Sequence, residues 1–106
     1  MPSDLRDLPV PDVGRPWVAV HLTGEQDLAT APELRCRLAD LLGPGDRDVV
    51  VDLGGVTFFD TSALDVLLDA HRLGVATGAG LFLRDVPEHV RRVLRITGMG
   101  RLLPVR

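Results

Sequence analysis

Between Trp17 and Val105, short apolar runs take turns with longer stretches in which leucines and valines recur every three or four residues. That is the pattern of strands alternating with amphipathic helices. Trp17 to Leu22 reads as a strand, with Val18, Val20 and Leu22 on one face, Trp17, Ala19 and His21 on the other, and Thr23-Gly24 ending it. Thr30-Ala31-Pro32-Glu33 carries a capping box, in which Thr30 caps a helix and Glu33 reaches back. Leu34, Leu38, Leu41 and Leu42 then form one buried stripe, and Gly43-Pro44-Gly45 stops the helix. Val49-Val50-Val51-Asp52-Leu53 is apolar and β-branched, as a strand in the centre of a helix-covered sheet requires.

Asp60-Thr61-Ser62 opens a second helix, whose Leu64, Leu67, Leu68, His71 and Val75 fall at helical spacing before Gly78 and Gly80. Leu81-Phe82-Leu83 predicts a short buried strand. Asp85-Val86-Pro87-Glu88 repeats the capping signature ahead of a third helix carrying Val90, Val93 and Leu94, with Gly98 as its terminator. Leu102 to Val105 predicts a last edge strand, where the missing N–H of Pro104 is tolerated. The first sixteen residues hold four prolines and Gly14, so residues 1–16 read as a loosely ordered arm with at most an edge strand at Val10 to Val13. The expected fold is α/β: one domain over residues 17–106, a mixed, mostly parallel sheet of four to five strands packed with about three helices.

A length of 106 residues allows one core and therefore one principal site. The 45% apolar content supports that core, and 25% charged residues keep the surface hydrated. A net charge of −3 with scattered arginines argues against direct nucleic-acid binding. Cys36, the only cysteine, excludes an internal disulfide and suits a reducing cytoplasm. No apolar run approaches the roughly 20 residues of a spanning helix, and the start has no signal-peptide pattern, so membrane insertion is not expected.

The junction at Asp60-Thr61-Ser62 is the place to look for function, because ligands of open α/β sheets gather where strands give way to helices at the carboxyl edge. Asp and Thr are common N-caps, so the triplet by itself is ordinary capping. A phosphoryl group on Ser62 would add roughly −1.5 to −2 charges, stabilised by the helix N-terminus and opposed by Asp60 and Asp65. A docked partner would feel that charge while the fold survived it.

The blocks Leu22-Thr23-Gly24-Glu25-Gln26-Asp27-Leu28, Pro32-Glu33-Leu34, Val50-Val51-Asp52-Leu53 and Phe58-Phe59-Asp60-Thr61-Ser62-Ala63-Leu64 together resemble the STAS domains of bacterial anti-sigma factor antagonists. The resemblance runs from about Trp17 to Val105. It implies a protein that, unphosphorylated, binds a serine kinase doubling as an anti-sigma factor. Phosphorylation at Ser62 releases it, and a serine phosphatase resets it. It also implies a partner surface of Asp27, Asp60, Thr61, Ser62 and Ala63, no cofactor, and a monomer or weak dimer in the cytoplasm. Two positions depart from the family pattern: Ala63 stands for the usual glycine, adding a methyl where a partner backbone is expected to approach, and Gln26 replaces an apolar residue.

The chain carries no Gly-rich phosphate loop with lysine and no kinase catalytic loop, so it resembles a substrate of phosphoryl transfer and not an enzyme. Ser62 also lacks the glycines of a nucleophile elbow. His21, His71 and His89 lie on separate elements, which argues against a metal site, and Cys36 is a passive filler. Arg91, Arg92 and Arg95 form a basic face on the third helix, a solvated surface or one that meets an acidic partner. The rival reading is a STAS module without phosphorylation, which binds a small ligand or apolar cargo or serves a scaffold or transporter complex.

Overall fold

The computed structural model describes residues 15–103. Its elements run β1 (Trp17–Gln26), α1 (Ala31–Leu42), β2 (Asp48–Phe59), α2 (Thr61–Thr77), β3 (Leu81–Arg84) and α3 (Glu88–Thr97), followed by a 3-10 turn at Met99–Leu102. The strands lie in the order β1-β2-β3, and both pairings are parallel, so each connection is a crossover through a helix. The expected edge strand at Val10 to Val13 lies outside the described residues. So does the second half of the expected last strand, Pro104 and Val105; of its first half, Leu102 instead closes the 3-10 turn and Leu103 follows it in extended conformation.

Alternation along the strands sorts the side chains by face. Val20, Leu22, Val49, Val51, Leu53, Leu81 and Leu83 point to the helix side and join Leu34, Leu38, Leu42, Leu64, Leu67, Leu68, Val90 and Leu94 in one buried cluster. All three helices therefore share a single core. The helical stripes match the expected ones except at the end of α2, where Val75 is 70% exposed and faces water. Thr77 ties the layers together: its hydroxyl lies 2.8 Å from the carbonyl of Leu42 at the end of α1 and 3.1 Å from that of Leu73.

Three local expectations are corrected. β1 does not stop at Thr23-Gly24 but runs on to Gln26, because register shifts on either side of that pair, with Gly24 at φ +70°, absorb extra residue length and let pairing with β2 resume. β2 likewise continues through Gly54 and Gly55 to Phe59. Neither predicted capping box forms. Thr30 already has helical dihedrals and gives the helix no side-chain cap, and α3 begins behind Pro87, also without one. Asp85, offered as a cap, instead takes a left-handed φ of 53°.

Candidate functional site

β1 and β2 outrun the four-residue β3 and end together, with Gln26 opposite Phe59. One residue further, the Asp60 N–H donates to the Gln26 carbonyl at 3.2 Å. The chain then leaves β1 through Asp27 and β2 through Asp60, so the two turns emerge side by side at the carboxyl edge.

Asp60 is the N-cap of α2. In extended conformation (φ −121°, ψ −176°), its Oδ1 accepts from the Ser62 N–H at 2.9 Å and the Ala63 N–H at 3.3 Å. This satisfies two donors that a helix start would otherwise leave open. Thr61 is exposed, Ser62 half-buried and Ala63 only 1% exposed. The Ala63 methyl is thus turned into the core among the packed residues. That departs from the expectation that it projects where a partner's backbone approaches.

The Asp27 turn is built by its own side chain. Oδ1 accepts from the N–H groups of Ala29 at 3.0 Å and Thr30 at 3.2 Å, and the Asp27 N–H donates to the Thr30 hydroxyl oxygen at 2.9 Å. Asp27 therefore does the local work expected of Thr30 and Glu33, which is why Thr30 is folded into the turn before the helix starts. Gln26 is buried, and its Nε2 donates to the Thr23 carbonyl at 3.0 Å, bracing the end of β1 where it pairs with the bulged part of β2. An apolar residue there could not satisfy that carbonyl. Sequence reasoning missed two neighbours of the site, Leu28 (75% exposed) and Phe58 (49% exposed). The signal was present at Phe58: in a strand, two successive aromatics cannot both face the core.

On the sheet face away from the helices, register aligns His21, Asp52 and Arg84 in one row. Arg84 places NH2 2.9 Å and Nε 3.2 Å from Asp52 Oδ2, with His21 Nδ1 at 3.5 Å, while the Gly54 N–H donates to Oδ1 at 2.8 Å. Burial opposes the Asp52 charge, but the Gly54 N–H and the Arg84 guanidinium outweigh it and hold the carboxyl below its usual range. Partial burial and the adjacent Asp52 push the Asp85 carboxyl the other way, upward. The three histidines are not brought together, and among the described residues no group of three His, Cys, Asp or Glu side chains is poised to hold a metal. Cys36 is exposed on α1. No described helix is long and apolar enough to cross a membrane.

Three helices sharing one core on a parallel sheet accord with the family whose model residues 15–104 match, the "Mlab, STAS domain". The chain belongs to the STAS-domain family. Within it, this chain belongs with the anti-sigma factor antagonists, a non-catalytic regulatory group. The anti-sigma-B factor antagonist of Staphylococcus epidermidis is 30% identical over 86 residues, 81% of this chain and 80% of that protein. An anti-sigma factor antagonist from Mycobacterium paratuberculosis superposes with a TM-score of 0.70 at 29% identity, covering 84% of this chain and 75% of that one. Unphosphorylated SpoIIAA, an anti-sigma factor antagonist, has the same fold, with a TM-score of 0.73 at 22% identity over 89% of this chain and 83% of that one. SpoIIAA of Bacillus in its phosphorylated form gives 0.67 at 21% identity over 89% and 86%.

Proposed function

We propose that this protein is a partner-switching anti-sigma factor antagonist. In this reading it binds, in the bacterial cytoplasm, an anti-sigma factor that is also a serine kinase. Phosphorylation at Ser62 ends the binding, and a serine phosphatase restores it. The observation that carries the proposal is the pairing of the Ser62 and Asp27 turns through the Asp60 N–H to Gln26 bond, which sets a modifiable hydroxyl in a rigid surface. Asp60 already occupies the Ser62 and Ala63 N–H groups, so a phosphoryl group would meet a carboxylate in the place where a bare helix end would offer free donors. Its added charge, roughly −1.5 to −2, would then be felt mainly by whatever docks on Asp27, Asp60, Thr61 and Ser62. Exposed Leu28 and Phe58 give that contact an apolar part.

The test is intact-mass spectrometry after incubation with Mg-ATP and the cognate kinase, with Ser62→Ala alongside. One added phosphoryl group, absent in Ser62→Ala, is the expected result. Modification that persists in the variant would move the acceptor to Thr61 or elsewhere. No modification with kinase binding intact would make the protein a constitutive antagonist.

A further inference from the structure

Four arginines, Arg91, Arg92, Arg95 and Arg101, fall within residues 88–103 against a single acid, Glu88, in a chain whose net charge is −3. Three of them, Arg91, Arg95 and Arg101, rim a hollow of about 490 Å³ between the end of α3 and the 3-10 turn. Its remaining described lining is Leu94 and the backbones of Gly98 and Gly100. Gly98 takes φ +70° to turn the chain out of α3, and a Cβ there would meet nothing within 4 Å, so the wall is open on that side. Gly100 presses against Leu94, where a Cβ would stand 3.1 Å from the Leu94 Cβ. The floor is thus apolar, made of Leu94, two glycines and the methylene stems of the arginines.

The guanidiniums are only partly used. Arg91 donates through Nε to the Val86 carbonyl at 3.2 Å, and Arg95 meets Glu88 through NH2 at 2.6 Å. Each guanidinium carries five N–H donors in a planar fork suited to carboxylate or phosphate. No acid lines the hollow among its described residues. Its volume lies in the range of about 300–1,000 Å³ typical of small-molecule sites, and it is open to solvent on one side.

We propose that this hollow binds a soluble anionic amphiphile, with a carboxylate or phosphate head held by Arg91 and Arg101 and an alkyl body lying on Leu94. The site is independent of Ser62. It is tested on the full chain by calorimetry and amide NMR shifts with decanoate below its micelle concentration, with acetate as the head alone, 1-octanol as the tail alone, and phosphatidylglycerol vesicles as the membrane form of the same chemistry. Saturable decanoate binding is expected, with shifts centred on Leu94, Gly98 and Gly100. Arg91→Gln and Arg101→Gln should each weaken it about tenfold, as loss of a charge-assisted bond implies, while Ser62→Ala leaves it unchanged. Arg101→Gln removes only an exposed charge, whereas Arg91→Gln also gives up the bond to the Val86 carbonyl; folded protein is expected in both and is checked by their amide spectra. The proposal is overturned by absence of saturable binding at millimolar decanoate, by shifts centred elsewhere, by equal affinity in the arginine variants, by equal binding of 1-octanol, or by binding to vesicles alone.

Discussion

Replacing Ala63 by glycine separates a packing role from a contact role at the residue after Ser62. Ala63 is the third residue of α2 and 1% exposed, with its methyl inside the common core. Glycine in a helix is less favourable than alanine by about 0.8–1 kcal/mol in an interior, and somewhat less in a first turn. Removing a buried methyl adds about 0.8 kcal/mol of lost transfer energy, and more if the void does not close. The sum is about 1.5–2 kcal/mol of lost stability. For a domain of this size that corresponds to a fall in Tm of about 6–16 °C. Urea titration should show a lower midpoint at unchanged slope, since the surface exposed on unfolding is the same. Affinity for the anti-sigma partner, measured where both proteins are fully folded, should not change. If Ala63→Gly is as stable as the parent, the methyl is not packed as described. If it binds the partner more tightly, the methyl faces the partner after all.

Asp60→Ala should lose about 1 kcal/mol of stability through the missing cap, while Asp60→Asn, which keeps an acceptor, should stay within a few tenths in the same titration; equal loss in both would point to charge and not to the cap. Arg84→Met leaves the mostly buried Asp52 carboxylate without its cation and should destabilise by about 1.5–3 kcal/mol, read by chemical denaturation. Because the folded state holds the Asp52 carboxyl low, its contribution is present above the ordinary aspartate range and is lost as pH falls below about 4. Asp85, shifted upward, contributes in the opposite sense: its share is present at low pH and is lost as pH rises through its folded value. A stability profile from pH 3 to 7 should therefore fall on the acid side and flatten in Arg84→Met; an unchanged profile in that variant would remove the row from the account. Phe58→Ala, which exposes no core, should leave Tm nearly unchanged and weaken partner binding by tenfold or more if it is an interface anchor, measured by calorimetry.

The alternation of strands and helices was readable because each element owns a full period: Leu34, Leu38 and Leu42 on α1, and Val49, Val51 and Leu53 on β2, could face only one way. The Asp60 cap was readable for a similar reason, since its partners lie two and three residues on. What could not be read depends on neighbours distant in the chain. β1 continues past Gly24 because β2 offers partners as far as Phe59, and Asp85, at φ 53° with its carboxylate 3.6 Å from Arg84, does not cap α3. Thr30 and Glu33 matched a capping box, but the Asp27 side chain reached the local N–H groups first. The burial of Ala63 follows from the way α2 sits on the sheet, which no local pattern reports.

The bond from Asp60 to Gln26 joins residues more than thirty apart in sequence, and the parallel pairing beneath it forms only after α1 has been laid down between them. In an unfolded or partly synthesised chain the Asp27 and Ser62 turns are unrelated segments. A kinase that reads them together reads the finished tertiary structure, and a peptide spanning Phe58 to Leu64 is a poor substitute for the domain. Under the proposed function, any variant that lowers the folded fraction lowers apparent partner affinity in proportion, and the surface would also serve the partner as a check that the antagonist has folded.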